Sequence, residues 1–111
     1  MARIAAGARD KRIAFYPRVP TQDSLGTEIE ADGTPVPALA AVTYGDGRER
    51  REAGQAGSAQ TATFRVASTT GTRQVTERWQ IAFLGARWGI VGIAPIGMNE
   101  DIEFTAVKRG A

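Results

Sequence analysis

The chain has 111 residues and a mass of 11.8 kDa, room for one modest core that buries roughly 65% of the unfolded surface. It contains no cysteine and no histidine, which excludes disulfides, thiolate zinc sites and any nucleophile that relies on a histidine base. The formal charge is only +2, too small to demand a polyanionic partner, and all the cationic residues except Lys11 and Lys108 are arginines, whose planar donors suit carboxylates, phosphates and protein interfaces.

Thirteen glycines and five prolines favour a turn-rich chain over a helical bundle. No apolar run reaches the roughly 18 residues of a membrane-spanning helix. Residues 1–11 carry Arg3, Arg9 and Lys11 without the apolar stretch of a signal peptide, and are expected to form a flexible basic arm. Residues 12–108 then form one domain, followed by a short tail at 109–111.

Period-two alternation predicts mainly β structure: a small antiparallel β-barrel or sandwich of about six strands, with at most one short helix. Ile13 and Phe15 mark the first strand and Leu39 to Tyr44 the second. Between them, residues 17–37 hold Asp23, Gly26, Asp32-Gly33, Pro35 and Pro37, the chemistry of a long surface loop or hairpin. Residues 45–60 carry four glycines and six charges with almost nothing to bury. A loop that long in so small a domain is expected to be functional or disordered.

Further along, Ala62, Phe64 and Val66 share one side of a strand whose other side is Thr61, Thr63 and Arg65. A polar connection spans 68–76. Trp79, Ile81 and Phe83 then alternate with Gln80 and Ala82, and Gly85-Ala86 suits a type II′ hairpin turn into Trp88 to Ile93. Ile102, Phe104 and Ala106 define a last strand.

None of this carries catalytic chemistry. The acids Asp23 and Glu28, or Glu100, Asp101 and Glu103, sit in or beside turns where carboxylates are ordinarily solvated or capping, and no Gly-Lys-Ser/Thr element follows the glycines of 45–57. The expectation is a non-enzyme without cofactor or metal. Phe64, Trp79, Phe83 and Phe104 fall on apolar faces and are assigned to the core; Trp88, just after the hairpin turn, is the ring most suited to an interface. Arg48, Arg50 and Arg51, interleaved with Glu49 and Glu52, admit solvated i,i+4 pairs such as Arg48 with Glu52, phosphate contacts, or salt bridges to a neighbouring subunit; the mixed signs argue against tight static DNA binding and would suit a surface that DNA passes without sticking.

In order and spacing, these segments resemble the head-tail joining, or head-closure (stopper), proteins of tailed phages. The resemblance rests on Arg12-Ile13, the turn from Thr21 to Gly26 with Asp23, Leu39-Ala40-Ala41-Val42, Gly47-Arg48-Glu49 with Ala53-Gly54-Gln55 behind it, Thr63-Phe64-Arg65-Val66, and Trp88 to Ile93. Leu39 departs from the tryptophan common before that Ala, and Arg50-Arg51 from an aromatic or apolar pair. The resemblance implies a virion protein of a phage or gene transfer agent, assembled in the host cytoplasm as a ring of 6 or 12 subunits at the head-tail junction, with no membrane partner. Its partners would be the portal-adaptor on the head side, a tail terminator or tail tube protein on the other, and double-stranded DNA in the lumen. It also implies a gating loop, here Gly47, Arg48, Glu49, Arg50, Arg51, Gln55, Gly57, Ser58 and Gln60, and interface positions at Arg12, Asp23, Arg65 and Trp88. The other readings that the residues admit are a tail terminator ring and a small nucleic-acid-binding barrel.

Overall fold

The structure, a computed structural model, describes residues 8–45 and 59–109. Six of its eight strands close into an antiparallel barrel: β1 (Lys11–Tyr16), β4 (Val36–Tyr44), β5 (Ala59–Ala67), β8 (Asp101–Arg109), β7 (Ala86–Ile96) and β6 (Gln80–Phe83), with β6 pairing back onto β1. β2 (Arg18–Gln22) and β3 (Glu28–Asp32) form a separate two-stranded hairpin. The barrel is the mainly β architecture that the alternation predicts.

The interior face of each barrel strand is the apolar one. Ile13 and Phe15, Ala62, Phe64 and Val66, Ile81 and Phe83, and Ile102, Phe104 and Ala106 are all buried at spacings of two. Large and small residues alternate in rows across the β5–β8 pair: Ala62 faces Ala106, Phe64 faces Phe104, and Val66 faces Ile102. This lets the rings interdigitate across the narrow interior, with Phe64 set edge-on to Phe83 at 5.5 Å and to Trp88 at 5.4 Å, and Phe15 tilted on Phe104 at 4.8 Å. A bulge between Ile90 and Gly92 changes the register of β7, so that Val91 is exposed and Ile93 packs against the core.

Of the long loop or hairpin that residues 17–37 admit, the structure forms the hairpin, with ten of them paired in register from Arg18↔Asp32 to Gln22↔Glu28. Two expectations change. The β6–β7 turn has positive φ at both Leu84 (52°) and Gly85 (76°), the signature of type I′ rather than II′, with its central residues one position earlier than expected. The connection at 68–76 is not merely polar: a 3₁₀ turn at Thr72–Gln74 buries Thr72 and Val75, with the Thr72 hydroxyl donating to the Ala67 carbonyl at 2.8 Å.

Candidate functional site

Strand β4 organises the two regions that the sequence singles out. The hairpin enters at its start, and the segment that joins it to β5 leaves at its end, about 27 Å away along nine residues. Gly47, Arg48, Glu49, Arg50, Arg51, Gln55, Gly57 and Ser58 lie outside the described residues. The mouth from which their segment departs is described. There Gly45 donates to the Thr61 carbonyl at 3.0 Å, and Tyr44 pairs with Ala62.

Gln60 is half-buried at this mouth, beside an open cavity that it shares with Tyr44, Phe83, Leu84, Ala86, Trp88 and Lys108. Trp88 is only 2% exposed and belongs to the core, so the structure corrects its assignment to a surface interface. Its ring packs against Phe64 and lies 6.4 Å from Tyr44, and the Lys108 ammonium sits 5.5 Å from its centroid. The indole Nε1 is buried without a hydrogen-bond acceptor. The signal that could have found this is the alternation of Trp88 with Ile90, since the pairing Ile81↔Trp88 keeps it on the same inward face as Ile81 and Phe83.

The other predicted interface residues divide. Arg65, on the outer face of β5, is committed to its own chain: its Nε donates to Asp101 at 2.8 Å, and Arg9 reaches the other oxygen of the same carboxylate at 3.1 Å. Asp101 is 8% exposed, and this bridge ties the segment before β1 to β5 and β8. Asp23 sits at the hairpin tip and shapes it, accepting from the Leu25 and Thr27 amides, each at 2.9 Å. Arg12 is exposed on the outer face of β1, opposite Leu39 of β4. The structure therefore does not gather the four into one surface.

Sequence reasoning missed the polar clamp at the hairpin base. Asp32 accepts from Arg18 at 2.6 Å and from Arg87 of β7 at 2.7 and 3.1 Å. Arg87 lies over the Tyr16 ring at 4.1 Å and also donates to Gln80, and Arg78 approaches Glu30 at 3.6 Å. The hydrogen bond from Arg87, assisted by that from Arg18, lowers the Asp32 carboxyl to about 2. Gly33 makes the junction close, since it donates to the Pro17 carbonyl at 2.8 Å and a Cβ there would come within 2.9 Å of the Pro17 ring. The arginines were visible in the sequence, but Arg87 stands 55 residues from Asp32 and Arg18 stands 14, which hid the pairing.

Among the described residues, no three carboxylates gather as a metal site and no helix is long and apolar enough to cross a membrane. The geometry presents surfaces and a mouth. Comparison with known proteins is consistent with that. The sequence model of the phage head completion proteins matches residues 4–109. No curated protein matches the chain. Among solved structures, a chain from the virion of a native gene transfer agent particle superposes with a TM-score of 0.66 at 17% identity, covering 91% of this chain and 94% of that one. Protein SF1141 from Shigella flexneri 2a, solved in solution, superposes with a TM-score of 0.63 at 19% identity, covering 98% and 97%. At these identities the likeness is one of fold.

Proposed function

Because the chain belongs to the family of phage head completion proteins, and is thereby a structural protein of phage heads or phage-like particles, we propose that it forms the head-closure ring between the portal-adaptor and the tail. In this reading it does no catalysis; it narrows the channel, helps retain packaged DNA and offers the surface on which the tail docks. The observation that carries the proposal is the placement of segment 46–58 between β4 and β5, two strands held in continuous register on a packed core. A rigid barrel wall is what a gating segment needs at its base, since DNA under pressure pushes on the loop and the load passes into paired strands. The mixed charges of Arg48, Glu49, Arg50, Arg51 and Glu52 suit a lumen that DNA must traverse without adhering.

A nucleic-acid-binding barrel fares less well, because most of the rings it would offer for stacking are in the core and, among the described residues, only Tyr44, at 42%, is exposed. Phe15, Phe64, Phe83, Phe104 and Trp88 are each 4% exposed or less. The test of the head-closure reading is cryo-electron microscopy of particles from the source, with and without deletion of residues 47–58. We expect a ring of this chain at the head-tail junction, and heads that lose DNA when the segment is shortened. Full, tailed particles from the deletion variant would refute the gating role, and absence of the chain from the junction would refute the placement.

A further inference from the structure

The hairpin is oriented by its polar face. Arg18, Glu30 and Asp32 share one side of the β2–β3 ladder and bind one another, Arg78 and Arg87. The opposite side, Val19, Thr21, Ile29 and Ala31, is therefore turned away from the clamp, with Val19 and Ile29 44% and 43% exposed. At the tip Leu25 is 88% exposed between Asp23 and Glu28, and neither acid has an ion pair among the described residues.

The barrel wall offers the complement. Leu39 is 52% exposed and lies directly across from Arg12. The guanidinium groups of Arg9, Arg18, Arg65, Arg73, Arg78 and Arg87 all have a carboxylate or hydrogen-bond partner; among residues 8–45 and 60–108, Arg12 is the one guanidinium that has neither. Beside this pair the outer face is small and flat, as Ala82, Ala14 and Pro37 follow one another across β6, β1 and β4. A leucine flanked by acids without ion pairs and a leucine flanked by an unpaired arginine match in apolar character and in charge.

These two surfaces do not meet within one chain, since every residue from Val19 to Glu30 is exposed, Arg12 and Leu39 are exposed, and β2 and β3 pair only with each other. We propose that the hairpin is an intersubunit arm, whose Leu25 tip with Asp23 and Glu28 seats on the Arg12–Leu39 pair of a second copy of this chain. The donor and acceptor surfaces differ, so the contact is head-to-tail, the kind that repeats around a ring when the rotation closes, as the head-closure reading requires. This deepens the head-closure reading and rests on it. The contact is small, below the roughly 1,200 Å² of a stable complex, so it holds when each subunit is gripped on both sides in the assembled ring.

The chain has no cysteine, which permits a clean trap. Particles are assembled with the double variant Leu25→Cys/Leu39→Cys, oxidised mildly and run on a non-reducing gel. We expect a ladder of multimers of this chain that collapses on reduction, and no ladder from the off-site pair Leu25→Cys/Met98→Cys. In a second arm, Arg12→Glu lowers incorporation into particles and the added Glu28→Arg restores it. Particles that contain the chain but give no ladder, an equal ladder from the off-site pair, or an adduct to a different particle protein would each overturn the arm while leaving the head-closure reading in place. A chain missing from unmodified particles would overturn that reading itself.

Discussion

Barrel and hairpin are built from the same kind of strand but are held by different forces. The barrel closes over Phe15, Phe64 and Phe104, each 0% exposed, whereas every residue from Val19 to Glu30 is exposed and the hairpin is fixed by charged groups at its base. Even their ionic bridges correspond: Asp101 joins Arg9 and Arg65 in the barrel, and Asp32 joins Arg18 and Arg87 at the hairpin. The side chain of Asp101 is 11% exposed and that of Asp32 is 35% exposed. The difference teaches that burial supplies the stability of the fold, while the hairpin is a semi-independent appendage whose place is set by electrostatics.

The comparison breaks most severely in the core. Phe104→Ala removes the ring that packs on Phe15 at 4.8 Å, and we expect a loss of about 3–5 kcal/mol by denaturant unfolding. A loss under 1 kcal/mol would mean that the barrel is not held by its interior. Asp101→Ala comes next, at about 1–3 kcal/mol, because a nearly buried acceptor of two charged hydrogen bonds is lost while Arg9 and Arg65 regain water. Gly85→Ala should cost about 1 kcal/mol, since φ there is 76° and a side chain resists the left-handed region.

This asymmetry also explains what could be read in advance. Ala62, Phe64 and Val66, or Ile102, Phe104 and Ala106, alternate because a barrel strand has one dry face, and dryness leaves a mark in composition. β2 and β3 have no dry face, and Pro20, Glu28, Glu30 and Asp32 are poor strand formers taken singly. Their pairing depends on Arg87 and on the Pro17–Gly33 junction, both set by tertiary structure. Trp88 differs: the turn at Leu84-Gly85 moves its partner from Phe83 to Ile81, both inward residues, so the one-residue shift leaves its face unchanged and only its closeness to the turn suggested exposure. Of the candidate site, Arg12 and Asp23 were legible as exposed polar residues, but their surroundings were not.

Acid should loosen the hairpin before the barrel. The folded Asp32 carboxyl lies near 2, below the roughly 3.9 of an unfolded aspartate, so its contribution is complete above that value and is lost as pH falls from about 4 through 2. The protection of the Val19 and Ala31 amides, taken relative to the intrinsic exchange rate at each pH, should therefore fall over that window while Phe64 and Phe104 stay protected. Arg87→Gln removes the largest cause of the lowered value, and should move the loosening to higher pH. Hairpin and core amides exposed together would show one cooperative unit instead of two.

The smallest expected effect on stability is at Leu25. It is 88% exposed, and the turn around it is shaped by the Asp23 carboxylate rather than by its own side chain. Leu25→Ser should thus leave the unfolding midpoint within the roughly 0.5 kcal/mol ordinary for surface changes. A leucine that contributes so little to its own chain is nevertheless a poor choice for water, and a serine at a turn tip would be the cheaper residue by local chemistry alone. If Leu25→Ser unfolds with the parent but enters particles poorly, the side chain serves assembly and the hairpin is an arm. If it lowers stability by 1 kcal/mol or more, the tip packs on its own barrel, and the distinction drawn between the two regions fails where it was expected to be sharpest.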